Sequence, residues 1–449
     1  MKFFLPTFFV VTSILLTSGC FAQPRLRPDQ GQSTPFMLEA TSLPSPHPGT
    51  TRLDVGYRIA SSFFVFVKAN SSEGYSARAE LLVEILDTNL RSVARNFLSE
   101  SIPANHPPVE GSRESYYSGA ISFEVPPGKY SISFEISDLE SSRKFRDENK
   151  KVTVGEFRDS ILTYSDAIMT KGKYDVETGS FAPFALSGDV SFGHTAGCFV
   201  QFSQSRSQTS SALVYRIFQK RLDQAEPVLV VSDTISEGSI HPANVLAILQ
   251  TNDRYSYQNT TMALPGISSV WFPLNIDTLD QGTYTLELKP TSGDTSKKLK
   301  QEFRIRWVDM PLPLRSLQSA INAMEYVLSE DEFRNLRRAS AVPQRVFFDA
   351  FWKKRDLTAG TAYNEVLNEY YLRVEFAMKT YGTLSIDDGS KTERGKAHIL
   401  YGPPTRIERI LLPSSDPQET WYYTSIAKKL VFVDRSRHGD YRLISMGQL

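Results

Sequence analysis

Cysteine is nearly missing from this chain, with Cys20 and Cys198 the two such residues in 449. If Cys20 is modified or removed with the N-terminus, no intramolecular disulfide can form, and stability has to come from packing. Cys198 sits in the apolar run Ala196-Gly197-Cys198-Phe199-Val200 and reads as a buried, inert thiol, a setting that does not support His194 as its base. Histidine is also scarce, with six residues, none in the paired spacing of metal ligands, so no metal centre is expected. Neither sign of charge dominates: Lys plus Arg and Asp plus Glu both number 50, and no like-charge block offers a footprint for nucleic acid. A Gly-x-Ser-x-Gly elbow is missing, and Tyr401-Gly402-Pro403-Pro404 lacks the amide nest and lysine of a phosphate loop. Neither a catalytic nucleophile nor a cofactor is therefore expected.

Long hydrophobic runs are missing too, except at the N-terminus. Phe3 to Leu16 follows Lys2 and is too short to span a bilayer comfortably, which marks residues 1–22 as an export signal. The run ends in Leu16-Thr17-Ser18-Gly19-Cys20, which resembles the lipobox of bacterial lipoproteins and makes Cys20 the expected site of lipidation. Cys20-Phe21-Ala22 before Gln23 also satisfies the small-x-small rule, which would leave a soluble mature chain. Both outcomes place the protein outside the cytoplasm, in the periplasm, the outer membrane or the cell surface.

Apolar residues make up 41% of the chain and aromatics 12%, ample for packed cores. At about 100–200 residues per domain, several domains are expected. Residues 23–50, rich in Pro, Ser, Gln and Gly, read as a linker. Period-two alternation then predicts a first β-sandwich over 51–155, from Leu53, Val55 and Tyr57, a dense strand over 61–67, Leu81, Val83 and Ile85, and Ile121, Phe123 and Val125. The segment Val125-Pro126-Pro127-Gly128-Lys129-Tyr130 feeds a strand with Tyr130, Ile132, Phe134 and Ile136 on one face, resembling the tyrosine-anchored corner of immunoglobulin-like sandwiches. The device recurs at Leu279-Asp280-Gln281-Gly282-Thr283-Tyr284, predicting a second sandwich over 156–310, although the strands of 170–191 cannot be placed.

Past Pro311 the period changes to that of a helix. Leu317, Ile321, Met324 and Leu328 share a face, Ser329 to Glu332 forms a capping box, Pro343 opens a helix, and Thr361 is expected to cap another over 362–381. Strand alternation returns at 397–401, 421–423, 430–433 and 441–444, so 311–449 is expected to be an α+β module. Trp352, Trp421, Tyr422 and Tyr423 are expected to be core rather than a ligand platform.

Several motifs in this module occur in series: Phe351-Trp352-Lys353-Lys354-Arg355-Asp356-Leu357-Thr358, Glu369-Tyr370-Tyr371-Leu372-Arg373-Val374, Thr392-Glu393-Arg394-Gly395, Tyr401-Gly402-Pro403-Pro404, Trp421-Tyr422-Tyr423 and Gly439-Asp440-Tyr441-Arg442-Leu443. Together they resemble the GWxTD domain. The segment that names that family reads Gly389-Ser390-Lys391-Thr392-Glu393 here, with Ser for Trp and Glu for Asp. The resemblance implies an exported or lipid-anchored envelope protein and no established activity. Arg355, Asp356, Glu365, Glu369, Arg373 and Arg394 form a candidate polar cluster, read first as structural pairing along helices and turns. The leading expectation is a noncatalytic scaffold or recognition module for a protein or cell-wall partner. Its rivals are an enzyme modifying an envelope polymer through Asp356, Glu365 and Glu369, and a carrier of an apolar ligand.

Overall fold

A computed structural model describes residues 36–68, 74–104, 115–157, 161–203, 212–221, 226–292 and 296–449. The export segment, Cys20 and the start of the linker lie outside these residues. The end of that linker is not a tether. Residues 36–44 form a strand because Phe36, Leu38 and Leu43 are buried, an alternation hidden in sequence by the prolines and serines on either side.

The first module comprises β1 (Phe36–Pro44), β2 (Thr51–Ala60), β3 (Val67–Lys68), β4 (Tyr75–Leu86), β5 (Ser92–Ala104), β6 (Tyr116–Val125), β7 (Gly128–Asp138) and β8 (Lys144–Val154). One sheet runs β1-β2-β6; the facing sheet runs β3-β4-β7-β8, with β5 also on β4. Leu53, Val55, Tyr57 and Ile59 of the first sheet pack with Leu81, Val83, Ile85, Phe134 and Ile136 of the second. The expected strand over 61–67 is instead a short 3-10 turn, Ser61–Phe63, leading to the two-residue β3; Phe64 turns into the core and Val65 to solvent.

The second module holds β9 (Thr163–Tyr164), β10 (Ile168–Asp175), β11 (Ser180–Pro183), β12 (Val190–Ser191), β13 (Ala196–Ser203), β14 (Leu213–Lys220), β15 (Val228–Ile235), β16 (Ile240–Thr251), β17 (Arg254–Leu274), β18 (Gly282–Pro290) and β19 (Leu299–Arg306). The unplaced region becomes β10, β11 and β12. Strand β17 is long enough to pair with β16 from Arg254 to Val270 on one edge, and on the other with β11 near its start and β13 along its last eight residues. The other sheet runs β12-β19-β18-β14-β15. Both anticipated tyrosine anchors form: Tyr130 Oη donates to Pro126 O and Tyr284 Oη to Asp280 O, each at 2.7 Å.

Strand β2 is buried on both faces, because the side turned away from its own core meets the second module. Arg52 and Asp54 lie there as a two-pronged ion pair at 2.7 and 2.8 Å, with Arg52 also donating to Leu246 O and Ser122 to Asp54 at 2.6 Å. Ser42 N donates to Asp166 Oδ2 at 2.8 Å and Ser118 N to Asp253 O at 2.8 Å. Hydrogen bonds and a buried ion pair thus fasten the two β modules to each other.

The C-terminal module has α1 (Leu317–Ala323), α2 (Glu330–Arg338), α3 (Ala341–Lys353), α4 (Glu365–Thr380) and α5 (Glu393–Tyr401). These precede an antiparallel meander of β20 (Arg406–Ile410), β21 (Gln418–Tyr423), β22 (Lys428–Val433) and β23 (Arg442–Gln448). The capping box at Ser329 and Glu332 is present. Two expectations are corrected. Asn364, not Thr361, caps α4, its Oδ1 accepting from Leu367 N at 2.8 Å, while Thr361 closes the preceding turn. Residues 397–401 belong to α5 rather than a strand; Ala397, His398 and Ile399 are all buried and the exposed side carries the apolar Leu400, which blurs the stripe that would betray a helix.

The helical module is keyed into the second β module by Tyr363. Its ring sits edge-on to Phe192 and Trp307, with centroids 5.4 and 5.6 Å away, and lies on Gly193, where a Cβ would come within 2.5 Å of it. Ala362 N donates to Asp277 O at 2.8 Å beside it.

Candidate functional site

The described residues of α3, α4 and α5 enclose an open cleft of about 430 Å³. Its floor is Trp352, Tyr370, Val366 and Ile399, and Leu357 and Leu400 stand at its lip. Leu357 is 83% exposed. This leucine contributes little to the core and leaves an apolar edge facing water.

Four of the six expected polar residues line this cleft: Arg355, Glu365, Glu369 and Arg373. Each already has a bond to its own module. Arg355 stacks 3.5 Å above the Phe351 ring and donates to Phe351 O at 3.0 Å. Glu365 accepts from Thr358 Oγ1 at 2.6 Å. Glu369 and Arg373 pair at 2.7 Å one turn apart on α4. The Arg373 guanidinium also lies against Gly402, whose φ of +77° ends α5 and whose missing Cβ leaves room for it.

The other two lie outside the cleft lining, although the Thr358 hydroxyl links Asp356, at 3.3 Å, to Glu365, at 2.6 Å. Asp356 accepts from Thr358 N at 2.9 Å and fixes the turn after α3. Arg394 turns the opposite way, against the Tyr441 ring at 4.2 Å and Glu419 at 3.5 Å. Glu419 is buried and also accepts from Trp421 Nε1 and Arg409, each at 3.0 Å. Its role is readable in sequence only through its register, two residues before Trp421 on the inward face of β21. The leucines of the lip carry no periodic signal.

Trp352, Trp421 and Tyr423 are core residues, as expected, while Tyr422 is half-buried and bonds Glu408 at 2.7 Å. His398 is buried on α5, stacked 4.5 Å from the Phe376 ring; burial, then the Arg373 charge, lowers its pKa to about 4, so it stays neutral. Cys198 is fully buried in β13, and burial pushes its thiol well above the usual range. Among the described residues no His, Cys, Asp and Glu group has metal-binding geometry, and no helix is long and apolar enough to cross a membrane.

The segment Gly389-Ser390-Lys391-Thr392-Glu393 is a packed joint. Ser390 is buried and bonds Asp388 at 2.6 Å, its carbonyl accepts from Tyr326 Oη at 2.8 Å, and Thr392 caps α5 through Gly395 N at 3.0 Å. Gly389 is pressed against the end of α4 so closely that a Cβ would fall 2.2 Å from Ala377 O.

The GWxTD domain family model matches residues 288–443, in agreement with the motif series and starting one strand earlier than Pro311. No curated protein matches the chain. Among solved structures, a family 123 glycoside hydrolase from Clostridium perfringens, studied for glycolipid glycan hydrolysis, is 14% identical over 33% of this chain and 31% of that one, with a TM-score of 0.15. A likeness that weak carries no argument about fold or activity.

Proposed function

We propose that this is a noncatalytic cell-envelope protein whose C-terminal module recognises a protein partner, seating an apolar side chain in the α3–α4–α5 cleft. The observation that carries the reading is an open apolar cleft with exposed Leu357 at its lip and a rim of charges already bonded within the module. Such a rim can orient a partner and exclude wrong ones without doing chemistry. The enzymatic alternative needs Asp356, Glu365 and Glu369 around one substrate, and Asp356 is committed to a turn outside the cleft. A carrier of an apolar ligand calls for an enclosed cavity, whereas this cleft opens to solvent.

On this reading the two β modules are immunoglobulin-like spacers, a view supported by the repeated tyrosine-to-turn bond, and the chain is exported and anchored through lipid on Cys20. Copurification from native envelopes is the test. The wild type is expected to bring down a stoichiometric partner that Leu357→Arg with Val366→Trp does not. Recovery of the wild type as a lone monomer, or turnover of an envelope polymer that Glu365→Gln abolishes without unfolding, overturns the proposal.

A further inference from the structure

Strand β2 turns one row, Arg52, Asp54, Gly56 and Arg58, towards the second module, and the two arginines of that row end in different states. Burial works against the charge of Arg52, but the Asp54 carboxylate outweighs it and the pKa of that guanidinium is raised. Arg58 is half-buried at the other end of the row, with its guanidinium 3.9 Å above the Tyr116 ring. Burial lowers its pKa; Tyr116 and Asp309 oppose the shift, and the nearby charges of Arg254 and Arg306 add to it. Arg306 is itself engaged, sharing the Asp189 carboxylate with Arg304 at 3.4 and 2.8 Å. The fold thus neutralises Arg52 fully and Arg58 only in part.

Arg58 stands in a cavity of about 300 Å³ where the first module, the second module and the segment leading to α1 meet. Lys171 of β10 and Arg254 at the start of β17 join it there, against two carboxylates, Asp253 and Asp309. The turn that carries Asp253 and Arg254 is fixed to β6. Ser118 N and Oγ donate to Asp253 O at 2.8 and 3.2 Å, and Gln250 Nε2 donates to Ser118 O at 2.9 Å. Ala185 lines another side in the left-handed region, with φ 54°, a conformation that alanine keeps only where its surroundings impose it.

A bare anion entering this cavity would meet both carboxylates, and a neutral polyol would leave the extra cation unanswered. A sugar ring that bears an anionic group satisfies both demands. Its phosphate or carboxylate takes the guanidinium and ammonium groups, while its hydroxyls donate to Asp253 and Asp309. We infer that the cavity at this seam binds an anionic saccharide. It shares no residue with the cleft among α3, α4 and α5.

The test is isothermal titration calorimetry of the chain from Gln23 onward, with glucose 1-phosphate and glucuronate as probes and glucose, inorganic phosphate and acetate as controls. At least one anionic sugar is expected to bind saturably, roughly tenfold or more tighter than every control, and to weaken as salt is raised. The tighter of the two identifies the anion as phosphate or carboxylate. Arg58→Gln in the first module and Lys171→Gln in the second should each weaken binding about tenfold. Thermal unfolding checks each fold, and because Lys171 is exposed its variant tests the site even where Arg58→Gln loosens the seam. No binding of either sugar at millimolar concentration, a control that binds as tightly as the sugars, or folded variants that bind them unchanged overturns the inference.

Discussion

Replacing Gly395 with alanine separates two opposed effects at the joint that stands in for the family's naming motif. Gly395 is the third residue of α5, and alanine there is favoured over glycine by about 0.8–1 kcal/mol on helix propensity alone. A Cβ at that position, however, would lie 1.9 Å from Gly389 O and 2.9 Å from Gly389 C. Both are backbone atoms, and Gly389 cannot retreat because it is itself pressed against the carbonyl of Ala377 and the amide of Gly382. Ordinary contact would require the two turns to part by roughly 1.5 Å. Overpacking of this kind costs about 1–3 kcal/mol or more, so packing should win and Gly395→Ala should destabilise by about 2 kcal/mol. Urea unfolding followed by tryptophan fluorescence reads this out, since Trp352 and Trp421 report the C-terminal module and Trp271 and Trp307 the second β module. Only the C-terminal transition should move to lower urea. Gly447→Ala, with no heavy atom within 4 Å, serves as the control and should stay within about 0.5 kcal/mol. An unchanged or raised midpoint for Gly395→Ala would refute the close approach of the two turns.

Removing the Tyr363 ring by Tyr363→Ala should cost about 2–4 kcal/mol of coupling between the second and third modules, seen by calorimetry as a C-terminal transition that falls further below that of the second β module. Asp54→Ala strands Arg52 in the seam between the β modules and should cost about 3–5 kcal/mol, whereas Asp54→Leu with Arg52→Met should cost far less; chemical unfolding of both variants checks the difference. Burial raises the Glu39 carboxyl to about 7, so the folded state holds a proton that the unfolded state has released above about 4.5. Stability should therefore fall by roughly 1–3 kcal/mol as pH rises from about 4.5 to 7, with Glu39→Gln removing that slope. His398 acts in the opposite sense: lowered to about 4, it makes stability fall as pH drops from 6.5 towards 4, so the Glu39 effect is read as the difference between wild type and Glu39→Gln.

The strands of the first module were legible where one face meets a core and the other meets polar surroundings, as in Leu81, Val83 and Ile85 or Ile121, Phe123 and Val125. Strand β1 was not, because its alternation is set among prolines and serines and its second half, Thr41 to Leu43, is covered partly by the second module. Arg52 and Asp54 have the look of a solvent face, and only the neighbouring module buries them. In the C-terminal module the capping box at Ser329 was readable because its chemistry is local, while α5 was not, because Ala397, His398 and Ile399 are buried in succession and its exposed side carries Leu400 beside Lys396. The polar cluster was half legible. Glu369 and Arg373 sit one helical turn apart, and their pairing follows from that spacing. Arg394 and Asp356 look equally functional in sequence, yet one braces Glu419 and the other a turn. The exposed Leu357 had no signal, since a leucine in a polar stretch is ordinary until the structure leaves it uncovered.

Site-specific photo-crosslinking from position 357 in cells that make the protein tests the recognition cleft most directly. The account predicts one discrete crosslinked species, present with the parental rim and lost when Val366→Trp fills the cleft. A diffuse ladder that Val366→Trp does not change, or no adduct from 357 while a probe at exposed Leu90 on the first module captures a discrete one, would contradict it.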